Sequence, residues 1–271
     1  MVDEGSDLPE CKDWLVKGFL RYAKPMMAKS FHALAVDDRE LVRGVAAERP
    51  IIVFGNHPGW WDPIVASLLR AEFFPDRRLY APIDAKALLQ YKVLRKMGFY
   101  GLDLASRKGA ADFLRVSRAI LAERNSTIWL TPEGRFTDPR DRATEMMPGL
   151  AHLVSQGDAM TLIPLAIEYS FWEERQPEAL CRFGRAIDSE VFHQQSKEEI
   201  GAKLRSAFRE NQDLLADQVI RRSVDGFRVL FTGGKRSWYD FFRSWRAFLT
   251  RQKASLRHGD KFLEIDDRGD R

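Results

Sequence analysis

Cysteine is nearly missing from this chain. Two occur in 271 residues, Cys11 and Cys181. They are too few and too far apart for a disulfide framework or a metal-ligand set, so no metal is expected. A reduced, intracellular setting follows. No apolar run reaches the roughly 18 to 20 residues that a membrane-spanning helix needs. The opening MVDEGSDLPE is acidic and carries no hydrophobic stretch, so no secretory signal is expected. Strong charge of one sign is also absent. A net charge of +4 does not make a polycation, and no nucleic-acid-binding module is recognisable, so no nucleic-acid partner is expected. No Gly-x-Ser-x-Gly elbow occurs to support a hydrolase in which a histidine activates water. Internal repeats and low-complexity linkers are missing as well.

What is present suits a sizeable core. Apolar residues make up 45% of the chain, with seven Trp and eighteen Phe. Residues 12–35 have a helical pattern with Pro25 as a break or kink. Their apolar positions include Leu15, Phe19, Leu20, Met26, Met27 and Phe31, and their charges are mostly basic: Lys12, Lys17, Arg21, Lys24 and Lys29. From residue 51 the pattern alternates. Strands are predicted over 51–55, 79–83, 99–104, 127–131 and 160–169, with a further one over 181–187. Helices are predicted near 63–71, 84–96, 107–124 and 149–156. Such alternation predicts an α/β fold, a largely parallel central sheet flanked by helices, with helical N-terminal and C-terminal appendages.

The expected organisation is a basic amphipathic helical segment over 1–39, an α/β domain over 40–195, C-terminal helices over 196–258 and a disordered tail over 259–271. Ile200, Leu204, Phe208, Leu215 and Val219 recur at helical spacing and should pack on the sheet. Past Gly233-Gly234, the residues Trp238, Phe241, Phe242, Trp245, Phe248 and Leu249 form an aromatic stripe at helical spacing. Residues 235–258 hold seven Lys/Arg against one Asp. A basic amphipathic helix with Trp and Phe on its apolar face suits an anionic membrane surface. Each such stripe reads equally well as a cover for the protein's own sheet.

Two strand ends carry chemistry. The stretch FGNHPGWWD places His57 just past an apolar strand, with Asp62 five residues on. Sites in open α/β sheets gather beyond the carboxyl ends of strands. Pro58 and Gly59 bend the loop, and Asp62-Pro63 reads as a helix start. The loop can fold back so that Asp62 meets His57. Asp62 also reads as an ordinary N-cap, and His57 as a loop histidine bonded to backbone. A second pair with the same spacing, His32 and Asp37, lies where the pattern is helical. Five residues of helix would turn the two side chains about 140° apart, so this pair is set aside. The other strand end reads IWLTPEGRFT, with Glu133, Gly134 and Arg135 placed to hold a polar or phosphorylated group. The planar fork of Arg suits phosphate. Trp60 and Trp61 read either as core packing or as a wall or stacking surface for substrate.

NHPGWWD, then PEGR, then IPLAIEY resembles the glycerolipid acyltransferase family, which includes the lysophosphatidic acid and glycerol-3-phosphate acyltransferases. The family's Asn-His-x4-Asp block is matched by Asn56, His57 and Asp62. Its Pro-Glu-Gly-Arg block is matched by Pro132, Glu133, Gly134 and Arg135, without the Thr that often precedes the Arg. Its apolar strand carrying Pro is matched by Ile163, Pro164, Leu165 and Ala166. A Gly-containing strand ending in Arg corresponds to Gly98 through Arg107. The resemblance spans roughly residues 40–190.

It implies an O-acyltransferase that moves a fatty acyl group from acyl-CoA or acyl-carrier protein to a lyso-lipid hydroxyl, with 1-acylglycerol-3-phosphate the family's commonest acceptor. His57 is implied as general base and Asp62 as its orienter. Asn56, Glu133, Gly134, Arg135, Arg107 and Lys86 are implied as substrate-binding residues. No cofactor is implied, the acyl donor being a substrate. Backbone amides near Gly134 or in the 57–60 loop are candidates for the oxyanion. The implied setting is peripheral, on the cytoplasmic face of a membrane, with the anionic surface, the lyso-lipid and acyl-carrier protein as partners. Segment 12–35 resembles in placement the family's N-terminal docking element. Two alternatives stay open: a catalytically silent lipid-binding or scaffold protein of the same fold, and a glycolipid or other non-glycerophosphate acceptor.

Overall fold

The computed structural model describes residues 7–41, 49–103 and 105–233. The expected aromatic helix over 236–257 and the tail over 259–271 lie outside the described residues. The sheet is built from β1 (Ala33–Asp37), β2 (Ile51–Gly55), β3 (Arg78–Asp84), β4 (Phe99–Leu102), β5 (Ser126–Leu130), β6 (Thr161–Ser170), β7 (Glu178–Phe183), β8 (Ile187–Asp188) and β9 (Phe227–Thr232). The helices are α1 (Asp13–Ser30), α2 (Asp62–Phe73), α3 (Ala85–Gln90), α4 (Arg107–Leu121), α5 (Gly149–Gln156) and α6 (Lys197–Ile220).

The strand order is β4-β3-β5-β2-β6-β7-β1-β9, with β8 paired to β6. Neighbours from β4 through β6 are parallel. Strand β7 runs antiparallel to β6, and β9 antiparallel to β1. The fold is α/β with a mostly parallel sheet, as its alternation of strands and helices predicts. Strand β2, IIVFG, is buried along its whole length because helices cover both faces. Ile51 and Val53 face α1 and α2, while Ile52 and Phe54 face α4, α5 and α6. The carboxyl ends of β2, β3, β4, β5 and β6 therefore share one edge of the sheet.

Two strands depart from the expectation. The helix predicted over 12–35 ends at Ser30, and residues 33–37 form β1, which pairs with β7 and β9. Its sequence, ALAVD, alternates alanines against one cluster with Leu34 and Val36 against another. Alanine carries helix propensity, and only partners far along the chain make this stretch a strand. His32 and Asp37 thus lie on extended backbone, roughly 16 Å apart at about 3.3 Å per residue. Setting the pair aside stands, but the helical reason for doing so does not. Asp37 is fully buried and takes Arg39, Gln218 and Arg182 as donors. The other unforeseen strand is β9.

Helix α1 runs through Pro25, which sits on its exposed side. Its apolar stripe faces the protein. Ala23 and Met27 are fully buried, and Leu15, Val16, Phe19, Leu20 and Met26 pack against the same core cluster. The expected stripe is therefore a cover for the sheet domain. What α1 turns outward is Lys17, Arg21, Lys24 and Lys29, together with Trp14 and Tyr22. Helix α6 begins at a capping box of Ser196 and Glu199 and buries Ile200, Leu204, Phe208, Leu215 and Val219, as their spacing predicts.

Candidate active site

Strand β2 delivers the chain to the shared carboxyl edge, and Asn56 fixes where it leaves. The Asn56 amide donates to the Ile167 carbonyl at 2.8 Å and accepts from the Ile167 amide at 2.8 Å, clamping the end of β2 to β6. Asn56 is 1% exposed. Its buried side chain serves this clamp, so the expected substrate contact is corrected to a structural one.

The loop then turns back on itself. His57 Nδ1 is hydrogen-bonded to Asp62 Oδ2. Asp62 Oδ2 also accepts from the Gly59 amide at 3.1 Å, and Asp62 Oδ1 accepts from the Tyr169 hydroxyl at 2.5 Å. Asp62 is the first residue of α2 and caps nothing with its side chain; Trp61 is the N-cap. A carboxylate in the first turn of a helix is favoured by the positive end of the helix dipole. With Nδ1 on the carboxylate, the proton sits on Nδ1 and Nε2 is left as the basic nitrogen. The His57 side chain is 23% exposed, so Nε2 is reachable. The Phe136 ring lies 4.3 Å from the imidazole, centroid to centroid. Thr137 donates its amide to the His57 carbonyl at 3.0 Å, joining the loop after β5 to the loop after β2.

That second loop is built on a left-handed turn. Gly134 has φ 68°, in a region that costs an L-residue roughly 1–2 kcal/mol. Its amide donates to the Thr131 carbonyl at 3.0 Å, and the Gly59 amide is already given to Asp62, so neither serves an oxyanion. Glu133 points inward. Its Oε2 accepts from Thr137 Oγ1 at 2.6 Å and its Oε1 from Arg209 Nη1 of α6 at 2.9 Å. Both oxygens are used inside the protein, and the expectation that Glu133 holds the acceptor is corrected accordingly. Arg135 is exposed and donates one Nη2 bond to Thr144 at 3.0 Å, itself held by Asp141 at 2.6 Å.

Lys86 and Arg107 are exposed, in the first turns of α3 and α4. They follow β3 and β4, which lie beyond β5 from β2. The topology puts them on the edge that carries His57, without bringing them into its hydrogen-bonded cluster. Trp61 packs edge-on against Phe31 at 5.1 Å, whereas Trp60 is 57% exposed. The pair thus divides between core and surface.

Several contributors were not picked out by spacing. Tyr169 ends the IPLAIEY strand, and its period-2 register with Leu165 and Ile167 was the available signal. Arg209 lies on a helix 76 residues beyond Glu133, with no local pattern to join them. Among the described residues no cluster of His, Cys, Asp and Glu could hold a metal.

A family model described as Acyltransferase matches residues 35–168. A search of the curated proteins finds no match. Among solved structures, the crystal structure of the 1-acyl-sn-glycerophosphate (LPA) acyltransferase PlsC from Thermotoga maritima is similar with a TM-score of 0.47 and 15% identity, over 73% of this chain and 79% of that chain. The Acyltransferase match takes in both strand-end loops, with His57, Asp62 and Arg135 inside it, and residues 35–168 carry an acyltransferase domain.

Proposed function

We propose that this acyltransferase transfers a fatty acyl group from an acyl thioester, acyl-CoA or acyl-carrier protein, to the hydroxyl of a lyso-lipid such as 1-acylglycerol-3-phosphate. The observation that carries the reading is His57 with Nδ1 on a buried carboxylate and Nε2 accessible at the sheet edge. An alcohol attacks a thioester well only if its proton leaves during attack. Imidazole has a reference pKa of about 6.5 and is available as a base near neutrality. Asp62 fixes its tautomer and stabilises the imidazolium.

The acceptor hydroxyl gives its proton to Nε2 while its oxygen bonds to the thioester carbon. The tetrahedral oxyanion collapses, the C–S bond breaks, and the imidazolium returns its proton to the leaving thiolate. No nucleophilic Ser or Cys takes part: Cys181 is buried, and burial raises its thiol pKa far above the usual range. The remaining amides of the 57–60 loop are the oxyanion donors, and Arg135 holds the polar head.

The protein works at an anionic membrane surface as a peripheral partner. No helix among the described residues is long and apolar enough to cross a bilayer. The outward side of α1 supplies the basic residues and two exposed aromatics, Trp14 and Tyr22. Exposed Trp60 beside the His57 loop favours a second acceptor class, a glycolipid whose sugar stacks on the indole.

The test is purified protein given acyl-CoA, or acyl-carrier protein loaded with acyl chain, and a panel of lyso-phospholipids and lyso-glycolipids. Stoichiometric release of free thiol and formation of an acylated lipid are expected. Thiol release with no acylated lipid on any member of the panel would contradict the transfer reading.

A further inference from the structure

We propose that Tyr169 is a positioning residue of the acyl-transfer step, acting through Asp62 on the basicity and orientation of His57. The inference rests on the reading of His57 as general base. It is carried by geometry at the end of β6. The Tyr169 hydroxyl donates to Asp62 Oδ1 at 2.5 Å, the oxygen that His57 does not use. Asp62 then has one donor from each of three sources: the imidazole, the Gly59 amide and a phenol from a different strand. Without the phenol, Oδ1 would face the buried surroundings of an aspartate only 5% exposed, with no partner. A buried carboxylate oxygen without a donor is strongly disfavoured, so the phenol is part of what holds the Asp62 carboxylate in place.

The ring is placed as firmly as the hydroxyl. Phe31, just past α1, lies 5.3 Å from the Tyr169 ring, and the Gly59 backbone lies against its other edge. The titratable groups around Asp62 are His57 from its own loop, Tyr169 from β6 and the Cys181 thiol from β7. Burial, with the Asp62 carboxylate adding to it, pushes the Tyr169 phenol well above its usual range, and burial does the same to Cys181. Both stay protonated across the pH range in which His57 works, so the phenol remains a donor throughout.

A donor on Oδ1 disperses the carboxylate's charge. Tyr169 therefore sets how strongly Asp62 stabilises the imidazolium. Removing the hydroxyl concentrates that charge on the oxygen facing His57, so the imidazolium is held more strongly, while the geometry that makes the base effective loosens.

The experiment is Tyr169→Phe, read as a pH profile of kcat/KM with a lyso-lipid acceptor, beside an otherwise unchanged protein carrying fluorotyrosine at 169, a stronger donor of almost the same shape. In the Phe variant kcat falls about 10- to 100-fold at unchanged acceptor KM. Its acidic limb moves up by roughly one pH unit. Fluorotyrosine moves the limb the other way. An unmoved limb in both proteins, whether or not kcat falls, assigns Tyr169 a packing role only and overturns the proposal. The His57 Nδ1–H proton resonance, followed by NMR in ¹⁵N-histidine-labelled protein, gives a readout independent of turnover. It shifts in opposite directions in the two proteins if the relay exists, and stays fixed if it does not. A His57→Ala protein that retains activity would defeat the base reading while leaving this resonance test of the Tyr169–Asp62–His57 chain intact.

Discussion

Glu133 and Arg209 form a buried ion pair at 2.9 Å, with the Glu133 side chain fully enclosed and that of Arg209 13% exposed. The pair fastens the loop that carries Arg135 to the middle of α6. Arg209 also donates to the Asp141 carbonyl at 3.1 Å and to the Thr144 carbonyl, so one guanidinium gathers three points of the loop. Removing one partner leaves a buried charge unpaired, which costs about 3–5 kcal/mol. Glu133→Ala is expected to lose that much in urea denaturation and to lose activity with it. Replacing both residues by apolar ones, Glu133→Leu with Arg209→Met, should recover most of the stability while activity stays low, because the loop loses its anchors. Equal recovery of both would show that the pair serves stability alone.

His57→Ala should lower kcat about 10²- to 10⁴-fold with little change in thermal stability, since the side chain is partly exposed and bonded only to Asp62. Asp62→Asn acts through the same imidazole and should cost no more. The double variant should be no slower than His57→Ala, because groups that act as a unit are not additive. Fully multiplicative losses, measured by thiol release, would separate the two residues.

Arg135 is exposed, with its side chain tied to Thr144 by one hydrogen bond. Arg135→Gln should raise KM for a phosphate-bearing acceptor roughly 10- to 100-fold, as expected for a charge-assisted hydrogen bond, with kcat much less affected. A lyso-lipid without phosphate should be nearly insensitive. The same KM change for both acceptors would mean that Arg135 shapes the loop and does not read the head.

The outward basic residues of α1 give a binding prediction. Charge reversal at Lys17, Arg21, Lys24 and Lys29 should weaken sedimentation with vesicles rich in anionic lipid, each basic residue contributing about 1 kcal/mol. Binding of the native protein should fall with added salt. Turnover of a short-chain, water-soluble acceptor should persist. Unchanged vesicle binding would place the contact elsewhere.

Glu178 supplies a pH dependence of stability. Burial pushes its carboxyl up to about 7, above the ordinary value of 4.5, with its Trp172 amide bond and nearby His32 acting in the opposite direction. The folded protein thus holds this proton where the unfolded chain has released it. Its contribution is fully present below about 4.5 and is lost as pH rises through 7. Glu178→Gln keeps an acceptor for the Trp172 amide and cannot ionise. The Tm of the variant relative to the native protein should therefore climb between pH 5 and pH 8. A constant difference across that range would show that Glu178 is ionised in the fold.

Local chemistry determined a large part of this molecule. The apolar run of β2, the turn made by Pro58 and Gly59, the helix start at Asp62-Pro63 and the Pro-Glu-Gly-Arg turn are short-range features, so the α/β class and the meeting of His57 with Asp62 could be read along the chain. The tertiary structure decided which polar side chains are free. Asn56 and Glu133 look like ligands in sequence, yet distant partners, Ile167 and Arg209, hold them inside the fold. Strand β1 and the phenol on Asp62 were decided in the same way, because strand pairing and buried hydrogen bonds join residues that no periodicity connects. The inward turn of the α1 stripe has a related cause: an amphipathic pattern states that one face avoids water, and only the packed core shows what covers it.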